Sequence, residues 1–336
     1  MPDMAQVLVM GGTQFIGRHV VPRLLAVGHA VTLLNRGVTG PDAHPGVARI
    51  RADRASEELA HTPGLVRDWD AVVDLCAYWP ADVARLLGIL RGRVGHYVQC
   101  SSISAYRAME SGAPIPLMTE SDPLLDCSHE EAKSRDWATY GKRKAECERV
   151  ARRESSAPVT ILRPGLVYGR YDHTDRFGYW VHRARGDAKF LLPEGGIRSM
   201  RRTYAPDLGA AFAAAIDRPV ARGGSYNVGE TEPPTLRRTL ELLGDHFGRD
   251  VLPRAVSVSA DRLRALGVQP WSDLPLWLAG TDLAMDTAAA RKDLASPETP
   301  HAQAISDAAQ AFVAEGRAPR AGLTDAREAE ILAKIC

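Results

Sequence analysis

Cysteine is scarce in this chain, and its placement excludes two kinds of chemistry. The 5 cysteines, Cys76, Cys100, Cys127, Cys147 and Cys336, are odd in number, far apart and form no CxxC pair. That pattern suggests neither a disulfide framework nor a zinc site, so no metal is expected. A surplus of one charge is missing too: 42 Lys plus Arg stand against 41 Asp plus Glu. With no global basic field, a nucleic-acid partner is not expected. No uninterrupted apolar run approaches membrane-spanning length, and the N-terminus enters a strand-like run without a basic leader or cleavage site. No membrane association is expected, and the reading is a soluble, reducing, cytoplasmic protein. Internal repeats and low-complexity tracts are also lacking. What remains is a 336-residue chain, long enough for a large core and two domains or lobes.

The N-terminal half alternates short β-branched runs with amphipathic stretches. Gln6 to Met10 (QVLVM) leads directly into Gly11-Gly12-Thr13-Gln14-Phe15-Ile16-Gly17 and then into a helical stretch, Arg18 to Val27. Strand, glycine turn, helix is the order a phosphate cradle needs. Glycines let the backbone approach a pyrophosphate, and the helix start offers free N–H groups and a partial positive charge. Ala30 to Leu34 is a second strand, ending in Asn35-Arg36-Gly37. An acidic residue there would bond a ribose 2′-hydroxyl; an amide followed by a guanidinium suits a 2′-phosphate better, because arginine engages it bidentately and cancels its charge. NADP is therefore preferred over NAD. Further strands are read at Ala48 to Ala52, followed by Asp53 beside the adenine edge, at Ala71 to Leu75, and at His96 to Cys100.

The last of these runs into Ser101-Ser102-Ile103-Ser104-Ala105-Tyr106, hydroxyls at a strand end where open α/β sheets bind ligands. Residues 107 to 138 are polar, contain proline and lack a sustained period, which reads as a surface insertion beside the cleft. Then comes Tyr140-Gly141-Lys142-Arg143-Lys144, opening a helix to about Arg153. At this spacing Tyr140 and Lys144 lie on one face, a turn apart. An ammonium close to a phenol favours the phenolate, so such a pair can exchange a proton with a hydroxyl or carbonyl. The bland alternative is a solvated helix face carrying Lys142, Arg143, Glu146, Glu148 and Arg149. Val159 to Arg163 is a further strand, ending at Pro164-Gly165. Beyond it regularity fades, although Asp207 to Ile216 and Thr235 to Phe247 read as helices and Ser225 to Val228 as a strand. Of the aromatics Tyr78, Trp79, Tyr179 and Trp180, packing is the favoured role, with cleft lining as the alternative.

Taken together in their order, GGTQFIG (11–17), SSISAY (101–106), YGKRK (140–144), RPGLVYG (163–169), YAPDL (204–208) and YNVG (226–229) resemble the extended short-chain dehydrogenase/reductase superfamily. Within it the likeness is to the NAD-dependent epimerase/dehydratase branch. It covers residues 5 to 230 well and the last hundred loosely. The resemblance implies a Rossmann-type doubly wound parallel α/β sheet at 1–165, with 201–228 returning to it. A smaller, partly interleaved C-terminal substrate lobe would comprise 166–200 and 229–336. It further implies Tyr140 as catalytic acid/base, Lys144 on the nicotinamide ribose, and Ser102 on the reacting oxygen with Ser104 in reserve. Gly11, Gly12 and Gly17, with Gln14, Phe15 and Ile16 between them, would line the pyrophosphate. Asp53 would meet the adenine, Ala77 the adenosine side, and Pro164 with Gly165 the nicotinamide.

Three departures shape the functional reading. Gln14 replaces the usual middle glycine. Ser102-Ile103-Ser104 stands where 4,6-dehydratases carry threonine, aspartate and glutamate, which argues against water elimination. Arg201 and Arg202 are out of step with the arginine that holds a diphosphate. The leading expectation is an NAD(P)-dependent oxidoreductase transferring hydride at a carbonyl or secondary hydroxyl of a polar small molecule, such as a secondary-metabolite ketone. The alternatives are a nucleotide-sugar epimerase with retained NAD and, third, a non-catalytic dinucleotide- or nucleic-acid-binding protein. Family members often form a homodimer through two helices.

Overall fold

The structure, a computed structural model, describes residues 4–110 and 114–335, so Cys336 lies outside the described residues. Its centre is a seven-stranded sheet of parallel strands. The chain runs β1 (Gln6–Met10), α1 (Gly17–Ala26), β2 (Ala30–Asn35), β3 (Ala48–Arg51), β4 (Ala71–Asp74), α2 (Pro80–Ile89) and β5 (Tyr97–Cys100). It continues through α3 (His129–Lys133), α4 (Tyr140–Glu154) and β6 (Val159–Pro164), and the seventh strand of the sheet, Ser225–Val228, arrives much later. All six neighbouring pairs are parallel, so each crossover must pass over a face of the sheet. Strand runs such as QVLVM and VTILRP are accordingly buried along almost their whole length.

Between them lie β7 (Leu166–Tyr168), α5 (Arg176–Arg185), β8 (Phe190–Pro193), β9 (Arg202–Tyr204) and α6 (Ala205–Asp217). The Ser225–Val228 strand is thus β10, lying beside β6 at the sheet edge, in the spatial order β10-β6-β5-β4-β1-β2-β3. After it come α7 (Leu236–Phe247), β11 (Ala255–Val258), α8 (Ala260–Ala265), α9 (Ala288–Asp293), α10 (His301–Ala314) and α11 (Asp325–Leu332). Two small parallel pairs, β7 with β9 and β8 with β11, lie outside the main sheet.

Apolar side chains gather in three main clusters. One joins the sheet to α1 and α6 through Val20, Val21, Leu24, Leu208 and Phe212, and also takes in Ala290 of α9. A second covers the opposite face with Leu86 of α2 and Cys147 and Val150 of α4. The third holds Tyr179, Trp180, Leu240, Ile305 and Trp277 together with Ile103, Tyr106 and Met118. Tyr179 and Trp180 are fully buried there, as packing residues rather than cleft lining. Among the described residues no helix is long and apolar enough to cross a membrane.

The stretch 107–138 is largely the expected surface insertion: among its described residues only Met118 and Leu125 are buried. It contains the capped helix α3, and Met118 is fully buried, bridging to Met285. On α4, Arg143 and Glu148 of the alternative solvated face are each 2% exposed, as is Lys144, so these charges are interior.

Candidate active site

The sheet order reverses between β1 and β4, where successive connections diverge to opposite faces and leave a crevice at the strand C-termini. A groove of about 240 Å³ occupies this place. It is lined by Met10 to Gly17 after β1, by Asn35, Arg36 and Val38 after β2, by Ala52 to Arg54 after β3, by Cys76 and Tyr78 after β4, and by His173.

The floor is the glycine turn. Gly11 and Gly12 have φ of +94° and +88°, a region costly for residues with a Cβ. A methyl on Gly17 would lie no farther than 2.7 Å from the Gly12 carbonyl oxygen, so only glycine lets α1 start this close to the turn. Gln14 takes the remaining family position without disturbing that approach, and it is exposed. The backbone N–H groups of Gly12 to Ile16 have no protein acceptor among the described residues, while His44 bonds the Gly12 carbonyl at 2.9 Å. Free amides at the start of a ten-residue helix suit an anionic group. The turn therefore fits the pyrophosphate of a dinucleotide.

At the rim, Asn35 is structural. Its amide donates to the Gly11 carbonyl (3.1 Å) and its oxygen accepts from Gly37 N (3.0 Å), tying β2 to the glycine turn. Arg36 is exposed on the groove and has no ion-pair or hydrogen-bond partner among the described residues. Asp53 accepts from Ala55 N at 3.0 Å and is exposed on the same rim. Beneath the groove, Arg54 grips Asp74 bidentately at 2.7 and 2.8 Å, and Tyr97 donates to Asp74 at 2.7 Å. Arg54 outweighs the burial of this carboxylate and holds it below the usual range.

Tyr140 opens α4, and Lys144 follows one turn later on the interior face. The Lys144 ammonium, 2% exposed, donates to the Ala77 carbonyl at 2.9 Å and to the Cys100 carbonyl. Burial disfavours this charge, but Tyr140 and the neighbouring Cys100, Cys147 and Asp74 outweigh it, so its titration is raised. The ammonium also lies 5.3 Å from the Tyr78 ring centre. Tyr78 stands 6.4 Å from the Tyr140 ring, and Trp137 lies 5.6 Å from it on the other side. The Tyr140 hydroxyl has no protein hydrogen bond among the described residues. The Ala77 carbonyl thus anchors Lys144 between Cys76 and Tyr78, which line the groove.

Ser102 caps the short turn Ile103–Ala105; its Oγ accepts from Ser104 N at 3.1 Å, leaving its own proton to donate. This turn packs against α4 at Gly141, where a Cβ would lie closer than 3.0 Å to the Ser104 carbonyl oxygen. The serine turn and the Tyr140 helix are therefore brought together. Pro164 and Gly165 close β6, with Gly165 N bound to Val228 O and Thr203 Oγ1; neither lines the groove.

A buried polar network supports these groups. Ser101 donates to Glu148, which Arg163 grips at 3.0 and 2.7 Å. Arg163 also donates to the Tyr106 hydroxyl at 2.9 Å, and that hydroxyl donates to Asn227 at 2.6 Å. Glu120 closes the chain by accepting from Asn227 N at 2.8 Å. All of these partners except Glu120 stand inside or near a quoted motif, but their pairing across as many as 121 positions has no local signal. Arg201 and Arg202 are also committed: Arg201 donates to the Glu230 and Thr231 carbonyls, and Arg202 pairs with Glu230 at 3.2 Å.

Comparison with known proteins agrees with this geometry. Residues 7–229 match the NAD dependent epimerase/dehydratase family. The chain is 28% identical over 266 residues to 2′-dehydrokanamycin reductase of Streptomyces kanamyceticus, a match covering 77% of this chain and 71% of that protein. It is 24% identical over 238 residues to the chloroplast stem-loop binding protein of 41 kDa b of Arabidopsis thaliana, covering 66% of this chain and 58% of that protein. Among solved structures, UDP-glucuronic acid 4-epimerase from Bacillus cereus in complex with NAD superposes with a TM-score of 0.70 at 17% identity. That match covers 93% of this chain and 99% of the other. At that identity it bears on the fold.

Proposed function

Because the chain belongs to the NAD-dependent epimerase/dehydratase family of the extended short-chain dehydrogenases/reductases, we propose that it reduces a carbonyl of a polar small molecule, or oxidises the matching secondary hydroxyl, with NADP preferred over NAD. The observation that carries this reading is the buried ammonium of Lys144, held by two carbonyls one turn below a Tyr140 hydroxyl that has no protein partner among the described residues.

A bound nicotinamide dinucleotide would supply the hydride in reduction and accept it in oxidation. The chain supplies the rest. The free amides of Gly12 to Ile16 receive the pyrophosphate and Asp53 meets the adenine, while Arg36 answers the 2′-phosphate. Ser102 donates to the reacting oxygen and fixes its position. Tyr140 delivers a proton to that oxygen in reduction and removes it in oxidation, and the Lys144 charge stabilises the phenolate left behind. Pro164 and Gly165 at the end of β6 border the nicotinamide side.

Net reduction is favoured over epimerisation of a nucleotide sugar by the engagement of Arg201 and Arg202, which leaves no free arginine at the position that would hold a diphosphate. It is also favoured by the similarity to a named reductase. Ser102, Tyr140 and Lys144 occurring together support catalysis over a purely binding role. The test is loss of NADPH absorbance with a panel of ketones, together with Tyr140→Phe. That variant is expected to lose turnover by about 10²-fold or more while keeping its cofactor affinity. Near-normal turnover removes Tyr140 as the acid/base. Protein that retains stoichiometric NAD and consumes no NADPH points instead to the epimerase.

A further inference from the structure

One residue from the second half of the chain reaches the dinucleotide groove. Every other lining residue lies between Met10 and Tyr78; His173, in the loop between β7 and α5, is the sole lining residue beyond them among the described residues. Its ring meets the Phe15 ring edge-on, with centroids 6.0 Å apart. Phe15 belongs to the glycine turn, at φ +35°, and its N–H is one of the amides left without a protein acceptor. The imidazole therefore stands against the turn that fits the pyrophosphate.

The segment carrying His173 is pinned on both sides of it. Upstream, His19 of α1 bonds the Arg170 carbonyl at 3.0 Å, and the Arg18 guanidinium lies 4.2 Å from the centre of the Tyr171 ring. Downstream, Asp175 accepts from Arg317 at 2.5 and 2.8 Å and from Arg320 N at 3.0 Å. Asp172 is turned into the loop itself, accepting from Thr174 N and Oγ1 at 2.8 and 2.7 Å. Both neighbouring acids are thus engaged. His173 is exposed, and neither of its ring nitrogens has a hydrogen-bond partner among the described residues. An exposed loop histidine is ordinarily solvated and unplaced; this one is held at the groove wall by contacts on either side of it, with its polar atoms free.

We propose that His173 is a cofactor-binding residue that closes the groove over the glycine turn, its imidazolium donating to the dinucleotide pyrophosphate opposite the free amides of Gly12 to Ile16. The assignment rests on the dinucleotide reading of the groove and is independent of the choice between NAD and NADP. A charge-assisted bond of this kind adds to what the helix start offers an anion. In the free protein, partial burial lowers the titration of the imidazole; Asp175 opposes that, and Arg176 and Arg320 add to it. From the glycine turn it meets Phe15, which carries no charge. The phosphate charges raise the same titration, because they favour the imidazolium. A group whose pKa rises on binding takes up a proton, and affinity grows as pH falls toward the value of the free group.

The test uses the whole chain with NAD⁺ and ADP-ribose, neither of which carries a 2′-phosphate that would titrate in the same range. Calorimetry at pH 6.5 in buffers of different ionisation enthalpy should show proton uptake on binding of either ligand, up to about one proton per site. His173→Asn should abolish that uptake and weaken both ligands about tenfold at pH 6 and much less at pH 8.5, while its melting temperature without ligand stays that of the parent. His19 and His44, which remain in the variant, are the competing titrating groups beside the turn; uptake that survives in His173→Asn belongs to them and overturns the proposal. A loss seen with NAD⁺ but not with ADP-ribose puts the contact on the nicotinamide and overturns it as well. Unchanged affinity in the variant removes the role of His173 and leaves the dinucleotide reading standing; a parent protein that binds neither NAD⁺ nor NADP⁺ removes both.

Discussion

Replacing Gly141 by alanine should damage this protein, although the same exchange in most helices helps. In the second position of α4, alanine would ordinarily stabilise by about 1 kcal/mol through helix propensity. Here the added methyl would lie closer than 3.0 Å to the Ser104 carbonyl oxygen, 3.1 Å from the Ser104 carbonyl carbon and 3.0 Å from Leu125 Cδ1. Two of those atoms are backbone, which cannot swing aside as a flexible side-chain end could. Restoring an ordinary C···O separation of about 3.3 Å requires the helix start to back away from the serine turn by roughly 1 Å. Overpacking of this kind costs about 1–3 kcal/mol, so the net effect is destabilising. The larger consequence is catalytic: the movement separates Tyr140 from Ser102, and a misplacement of about 1 Å can lower turnover roughly 10²-fold. Gly88 of α2 is the internal control, because a Cβ there meets nothing within 4 Å. Thermal denaturation and NADPH-dependent turnover are measured for both variants. Gly88→Ala should melt at or above the parent temperature, and Gly141→Ala below it with impaired turnover. A Gly141→Ala protein as stable and as active as the parent would refute the reasoning.

Changing Arg36 to alanine should weaken NADPH about tenfold or more and NADH much less, since only the former offers a 2′-phosphate; equal losses in fluorescence titrations would sink the NADP preference. His96, 1% exposed, should limit acid stability. Thr160 gives its only proton to the Ala221 carbonyl, so His96 must donate from Nε2 to Thr160, while its Nδ1 is buried without a partner. Burial, aided by Arg222, pushes this imidazole down to about 4 from 6.5. A depressed histidine contributes stability that is complete above the unfolded value and is lost as pH falls from 6.5 toward 4, here about 3 kcal/mol. Urea unfolding at pH 7 and pH 4.5 should show a smaller loss for His96→Gln, which keeps the donor and cannot titrate; an unchanged loss would clear His96.

The parallel sheet was readable because its central strands β1 and β4 are runs of mostly apolar, β-branched residues, and the glycine turn because it follows β1 and opens α1. Tyr140 and Lys144 were readable from spacing, since a helix fixes which side chains share a face. Glu148 and Arg143 were not: both carry charge in a charged segment, and what makes them interior is a partner far along the chain, Arg163 for one and the Tyr78 carbonyl for the other. Asn35 shows a related limit. Its position next to Arg36 suggested recognition and did not reveal that its side chain, on the groove wall, also joins the Gly11 carbonyl to Gly37 N. Helix α5 escaped notice because its buried face is aromatic, Phe177, Tyr179 and Trp180, in a stretch also rich in arginine. Sequence periodicity reports burial by apolar residues; it is blind to burial purchased by ion pairs.

The late arrival of β10 governs how this molecule can be made. Strand β6 is buried at all six of its residues, and one of its two flanks is covered by a strand that begins at Ser225. On a ribosome adding about 5–20 residues per second, that flank stays open for several seconds after β6 itself has emerged. During the wait, an unpaired strand edge carrying Val159, Ile161 and Leu162 is a template for pairing with other chains. Fragments ending near residue 165 should for this reason collect in inclusion bodies, whereas fragments extended through α6 and β10 should remain dispersed. Production yield then depends on how quickly translation passes from residue 164 to residue 228.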